Sequence, residues 1–446
     1  VTDEGLLPRN NNYAIRSQSG ADGDAVSAIP GPDDITRVVF ANGLTVLVRE
    51  NHTAPVAVLH GSLAAGSVHE TPAQAGLASF VAGLLSRGSA RYDFAAFNET
   101  VEAIGGNLTF GADTHSTDFG ITCVSEDFAL LVGVLADALR RPTFPADHVE
   151  KLRRQRLVYL QERDQDTGSV ASLRFYEMLF GRQHPYGRAT SGYSETMSAL
   201  QRTDAVAFHA QRYTPDGAVI VVVGDVDTPA VIDLLQRQLG DWQGAAADRA
   251  VPPLPVGRAA ERIFVGMADK VQADIVIGAP AIARQDPDFY AVRVANCILG
   301  QFGLMGRLGA KVREEQGLAY YAYSSVVAEE AGGTWTAGAG VSPDKVDQAI
   351  ESIRHEFALL GAKGVPADEM ADSQAYLTGV IPLTLETNDG VANTLLSMEW
   401  YGLGLDYLQR YRDLIYAVTV EDVQRVAAAY LQPEQCTVVV AGPDLG

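Results

Sequence analysis

Basic residues are scarce in this chain of 446: 34 lysines and arginines stand against 55 aspartates and glutamates, for a formal charge of -21. A field of that sign repels phosphate backbones and anionic lipid, which excludes nucleic acid and acidic membrane surfaces as partners. Neutral or basic peptides remain favoured, although an acidic surface serves solubility equally well. Long apolar runs are also missing. Ala218 to Val223 is among the longest, far below the roughly 18 residues that cross a bilayer, so no membrane span is expected. Cysteine is nearly absent. Cys123, Cys297 and Cys436 are odd in number and far apart, which excludes a disulfide framework and metal-ligand spacing and leaves three buried core residues. The eight histidines, His52, His60, His69, His115, His148, His184, His209 and His355, form no His-Glu-x-x-His or His-x-x-Glu-His, and each reads as a lone side chain. A Gly-x-Ser-x-Gly nucleophile turn and a phosphate loop ending in Lys-Ser/Thr are missing as well. No signal peptide is visible, but the chain opens on Val1, and a periplasmic location after removal of an export signal is the expectation.

What is present is written twice. The segment Asp204 to Gly224 (DAVAFHAQRYTPDGAVIVVVG) recurs as Glu421 to Gly442 (EDVQRVAAAYLQPEQCTVVVAG), each an acidic helix start, a Tyr, a Pro-containing turn and an apolar strand ending in Gly. Tyr213 and Tyr430 are 217 residues apart, and Pro145-Ala146-Asp147 recurs 221 residues later as Pro366-Ala367-Asp368. Two matches at nearly one offset imply a duplicated domain. This suits a chain longer than one hydrophobic core supports. Between the copies, Gly244 to Ala260 (GAAADRAVPPLPVGRAA) has a Pro-Pro-Leu-Pro centre that favours an extended linker. The organisation expected is an N-terminal arm over 1–35, a domain over 36–243, a linker over 244–260 and a second domain over 261–446.

Within the first copy, Asn42-Gly43 predicts a type I′ hairpin turn joining strands at Thr36 to Phe40 and Leu44 to Arg49, and Val56 to Leu63 is a further strand. Apolar periodicity predicts helices over Gln74 to Ser86, Asp93 to Ile104 with Asp93 as N-cap, Glu126 to Arg141 and Ala146 to Arg163. Hairpin-joined strands with helices on one face make an α+β domain.

The segment Gly66 to Ser89 (GSVHETPAQAGLASFVAGLLSRGS) carries Gly66-Ser67, Glu70, Pro72 and Gly76-Leu77 ahead of a helix. It resembles the zinc peptidases of the pitrilysin and mitochondrial processing peptidase family, in which the same approach leads into a helix bearing His-x-x-Glu-His. The resemblance puts Ser79 and Gly83 where the two zinc-binding histidines would stand and Ala82 where the water-activating glutamate would stand. Two neutral imidazoles one helical turn apart and a carboxylate between them are what that chemistry requires, and a hydroxyl, a hydrogen and a methyl do not supply it. The family's third ligand, a glutamate on a later helix, corresponds by resemblance to Glu162 in Arg156-Leu-Val-Tyr-Leu-Gln-Glu162, a vestige without its histidines. Restoring His, Glu and His would, on this reading, recover some zinc affinity through Glu162.

In the second copy, Ile298 to Tyr323 (ILGQFGLMGRLGAKVREEQGLAYYAY) resembles the part of the family that presents an Arg and a Tyr seven residues apart, here Arg313 and Tyr320. Gly300, Gly303 and Gly306 form a turn before it, without the long glycine run of the processing peptidase's regulatory subunit. The family surrounds a closed chamber with four such domains, so the resemblance implies two duplicated domains making half of a clamshell chamber. It implies no metal or other cofactor in this chain, and zinc in a homologous partner subunit with an intact His-x-x-Glu-His. Arg313 and Tyr320 would grip a peptide substrate at that partner's zinc. A structural subunit like the core proteins of the cytochrome bc complex, or a peptide-binding homodimer without hydrolysis, are the alternative readings.

Overall fold

The computed structural model describes residues 29–244, 249–255, 260–301 and 306–443. The first half runs β1 (Thr36–Val39), β2 (Thr45–Glu50), β3 (Val56–Leu63), α1 (Leu77–Leu84), α2 (Phe94–Ala103), β4 (Asn107–Ala112), β5 (Thr117–Val124), α3 (Phe128–Arg140), α4 (Ala146–Arg163), α5 (Thr167–Phe180), α6 (Ser194–Ala199), α7 (Arg202–Arg212), β6 (Val219–Gly224) and α8 (Thr228–Leu239). The second runs β7 (Arg262–Gly266), β8 (Ala273–Ala281), α9 (Phe289–Asn296), β9 (Ala319–Ala328), β10 (Gly333–Val341), α10 (Val346–Lys363), α11 (Ala367–Thr384), α12 (Asn388–Trp400), α13 (Tyr407–Tyr416), α14 (Val420–Tyr430) and β11 (Thr437–Gly442).

Duplication is visible in the strand order. One sheet is ordered β1-β2-β6-β3-β5-β4 and the other β7-β11-β8-β10-β9, so without β1 the two correspond strand for strand. The β2–β6 and β7–β11 pairs are parallel and their neighbours antiparallel. Pro145 and Pro366 occupy the N-caps of α4 and α11, where a missing N–H costs nothing. The hairpin differs from expectation. Gly43 alone has positive φ, its N–H bonds to the Phe40 carbonyl, and Phe40 N–H bonds to Leu44, which is a turn over Ala41-Asn42 followed by a glycine bulge rather than a type I′ turn. Asn42 is held in place because its amide donates to the carbonyls of Leu239, the last residue of α8, and of Trp242 just beyond it.

Each sheet carries helices of its own half on one face. Its other face receives a helix from the opposite half: α12 lies across β3 and β6, and α5 lies across β8 and β11. This is why β6 (VIVVVG) is apolar at every position and buried along its whole length. Leu47, Val58, Val219, Val221 and Val223 point into the core of the second half with Val391 and Leu395, while Val46, Val48, Leu59 and Val222 point into the core of the first. Reciprocally, Ala171, Phe175 and Leu179 of α5 pack on Val276 and Val439. Polar contacts fix both lent helices. Asn51 and Asn388 are joined at 2.7 Å, His60 and Asp389 at 2.7 Å, and Arg37 holds Glu399 through two bonds of 2.7 and 3.0 Å. The Thr167 hydroxyl donates to the Asp274 carboxylate at the start of α5.

Of the arm, residues 1–28 lie outside the described residues; its end is pinned by an Arg49–Asp34 ion pair of 2.7 Å and by burial of Ile35. In the linker, Arg249 donates to the Gly217 carbonyl and lies over the Trp400 ring, while the Pro252 carbonyl accepts from His184 at 3.0 Å. Cys123, Cys297 and Cys436 are unpaired and buried. Among the described residues, no helix is long and apolar enough to cross a membrane.

Candidate functional site

The segment ahead of α1 is built to start a helix. Glu70 turns inward and accepts from Ala78 N–H at 2.6 Å and Gly76 N–H at 3.0 Å, so one buried carboxylate caps two of the helix's free donors. Burial pushes its pKa up to about 8, against the pull of those same N–H groups and of Arg188. Arg188 donates to the Glu70 carbonyl at 2.9 Å, fixing the loop from the far side. The approach to α1 is therefore held from both sides.

On α1 itself, Ala82 is 1% exposed, whereas Ser79 and Gly83 are half-buried on the side facing α4. That side is occupied. A Cβ at position 83 would stand 3.2 Å from Nη2 of Arg156 and 3.2 Å from Cδ2 of Leu152, so the guanidinium lies in the groove that the bare glycine leaves open. The same Nη2 reaches the Ser79 carbonyl at 3.5 Å, and Nε of Arg156 is buried without a partner among the described residues. Burial lowers the Arg156 pKa, with the nearby Tyr159 phenol acting in opposition. Arg87, at the end of α1, donates to the Gly83 carbonyl at 3.1 Å and to Gln155 at 2.8 Å.

Leu152, Arg156 and Arg163 form the α1-facing stripe of α4, Arg163 reaching Gly192 at 2.8 Å beside the start of α1. Tyr159 stands next to that stripe. Glu162 is six residues past Arg156, about 120° off the stripe at 100° per residue, and exposed. Tyr159, three residues after Arg156, stands nearer the stripe than Glu162, the residue that the resemblance aligned with the third ligand. Zinc requires three or four nitrogen, sulfur or carboxylate donors. Ser79, Ala82 and Gly83 offer one hydroxyl between them and a cation fills the groove, so these residues do not fit the metal. Among the described residues, no group of three or more His, Cys, Asp or Glu is placed to hold one.

Arg313 and Tyr320 lie in the second half. Arg313 is half-buried in an irregular helical segment, Gly309–Glu315, whose end is closed by Gly317 N–H to the Arg313 carbonyl and Leu318 N–H to Val312. That closure turns the chain directly into β9, the edge strand of its sheet, bringing Tyr320 to the same end. Tyr320 is 60% exposed and its hydroxyl meets Ser342 Oγ at 3.2 Å; among the described residues, the Arg313 guanidinium has one carboxylate near, Glu314 at 3.8 Å. Both side chains are available to a ligand. Of the preceding turn, Gly303 lies outside the described residues.

Residues 45–190 match the family description "Insulinase (Peptidase family M16)" and residues 199–377 match "Peptidase M16 inactive domain". The chain belongs to the M16 peptidase family. An uncharacterized zinc protease of Mycobacterium leprae is 28% identical over 433 residues, covering 96% of each chain. A Helicobacter pylori protein named non-peptidase homolog YmxG is 26% identical over 412 residues, covering 89% of this chain and 91% of that one. The crystal structure of an M16 inactive domain from Pseudomonas fluorescens covers 92% of this chain and 98% of its own, with a TM-score of 0.86 and 26% identity.

A feature of this M16 chain that no local motif announces is the seam between its halves. A cavity of about 470 Å³ opens there, lined by His60, His115, Asp118, Glu329, Trp400 and Tyr401 among others. His115 is 2.9 Å from the Tyr186 hydroxyl and 3.3 Å from Glu329. Burial pushes His115 down to about 4; burial, with Asp113 and Glu330 adding, pushes Glu329 up to about 7. Both shifts favour the uncharged form. His60 and His115, which read as lone side chains, are joined to residues of the other half that only the fold brings near.

Proposed function

We propose that this M16 chain is the non-catalytic subunit of a heterodimeric zinc peptidase. In this reading it forms half of a clamshell chamber and extends Arg313 and Tyr320 toward a peptide held at the zinc of a homologous partner with an intact His-x-x-Glu-His. The observation that carries it is the contrast between two sites. The α1 helix keeps its Glu70 cap and has lost every metal donor, whereas Arg313 and Tyr320 keep an open position with weak partners of their own. A guanidinium and a phenol so placed can bond a peptide carbonyl, and they stabilise the negative charge that builds on it during hydrolysis more than they stabilise the neutral ground state. The substrate class is an extended or unfolded peptide, with strand addition along an open sheet edge as one means of holding it. The edge strand β4, which packs against α1, offers such an edge.

The test is reconstitution. This chain, a homologue with the intact motif, and the two together are assayed for peptide hydrolysis and zinc content. Hydrolysis only by the pair, with zinc only in the partner, is the expected result. Full activity of the partner alone would leave this subunit to assembly, a role that the name of the H. pylori relative also suits.

A further inference from the structure

We infer that the α1–α4 groove at Arg156 is a carboxylate-binding site, and that the carboxylate it takes is the free C-terminus of a peptide in the chamber. The peptide part rests on the function proposed above; the site itself rests on the groove. Among the described residues Arg156 has no carboxylate within ion-pairing distance. Of its five N–H donors, the one protein acceptor met is the Ser79 carbonyl at 3.5 Å, and the buried Nε is unpartnered. A buried Nε–H that has given up water without gaining an acceptor is unfavourable by itself.

Arg87 aggravates this. It too has no carboxylate partner among the described residues, and it bonds Gly83 and Gln155 on the same groove, so two like charges share one place without a counter-ion. Arginines elsewhere in this acidic chain, such as Arg37, Arg49 and Arg153, find a carboxylate within 3.1 Å. A planar anion accepting two parallel N–H bonds would remove both penalties, and carboxylate has that geometry. Gly83 is part of the device, because any Cβ there would press on Nη2 at 3.2 Å. The exposed Tyr159 phenol stands beside the same guanidinium as a further donor.

A peptide end is the source that the surroundings favour. The open-edged strand β4 packs against α1, so a segment added to that edge would bring its terminus toward the groove. Small free carboxylates share the chemistry but gain nothing from β4.

The experiment titrates the isolated full chain with one peptide as its C-terminal acid and as its C-terminal amide. Acetate and inorganic phosphate are added as separate arms, read by thermal shift. The native chain should bind the acid at least about ten-fold tighter than the amide. Arg156→Gln should abolish that preference, and Arg156→Lys, which keeps the charge without the fork, should restore part of it; circular dichroism of each variant confirms folding. Stabilisation by acetate but not by phosphate, lost in Arg156→Gln, with neither peptide bound, would keep the carboxylate site and assign it to a small free acid, sinking the peptide reading. Equal binding of acid and amide would overturn the site and leave the chamber reading standing. Absence of binding by peptide, acetate and phosphate alike would overturn the site outright.

Discussion

Installing a His-x-x-Glu-His motif on α1 tests whether this groove can hold a metal. The perturbation is the triple variant Ser79→His, Ala82→Glu, Gly83→His. Three features of the groove act against it. Position 83 has Arg156 and Leu152 at 3.2 Å from any Cβ, position 82 is 1% exposed, and Glu162 faces away from α1. The guanidinium is the largest obstacle. A dication held about 5 Å from it, at an effective dielectric of about 20, is disfavoured by about 7 kcal/mol, roughly five powers of ten in affinity. A site of ordinary nanomolar strength would become one of about 0.1 mM. The expected outcome is therefore that the triple variant holds no zinc through gel filtration and loses it to a chromogenic chelator at micromolar concentrations. Adding Arg156→Gln and Tyr159→Glu removes the cation and supplies a carboxylate beside the α1-facing stripe, and binding should appear. One zinc retained per chain by the triple variant, with Arg156 in place, would refute the reasoning and return Glu162 to the role its sequence position implied.

In the reconstituted heterodimer, Tyr320→Phe should lower turnover on the order of 100-fold without altering the partner's zinc content or the assembly seen by gel filtration; full activity would remove Tyr320 from the chemistry. Native stability should change little between pH 5 and 6.5 on account of the seam pair. Glu329, raised from 4.5 to about 7, contributes stability present at low pH and lost as pH rises through 7, while His115, lowered from 6.5 to about 4, contributes stability present above 6.5 and lost as pH falls through 4. His115→Asn removes the compensation, so denaturant unfolding of that variant should show a loss of about 3 kcal/mol as pH rises from 4.5 to 7.5, and a flat profile would contradict the burial of Glu329. Phe175, fully buried between α5 and the second sheet, should cost about 3–5 kcal/mol when changed to Ala, and calorimetry should show the loss in one shared transition.

The elements of the first half were legible because their signals are local. Asp93 caps α2 through Ala96 N–H, and the strand Val56 to Leu63 begins and ends where expected. The repeat of Tyr213 and Tyr430 pointed to two copies, and the sheets repeat accordingly. Asn42 misled because its amide answers to α8 carbonyls remote in sequence, which propensity for Asn-Gly does not contain. At the site, the absence of histidine and carboxylate at Ser79, Ala82 and Gly83 was readable from residue types alone. What occupies the space beside Gly83 was not, because nothing in the segment from Arg156 to Glu162 says which of its side chains faces α1. The exchange of α5 and α12 left only an indirect trace, in strands such as β6 that are apolar on both faces.

That exchange sets a schedule for biosynthesis. When β6 leaves the ribosome the first sheet is complete in strands, but the face that carries Val219, Val221 and Val223 is still bare, because α12 begins at Asn388. At about 5–20 residues per second the nascent chain carries that apolar surface for on the order of ten to thirty seconds. During this interval it is a target for chaperones and for the matching bare face of another nascent chain. Expressing the first half alone would make the interval permanent.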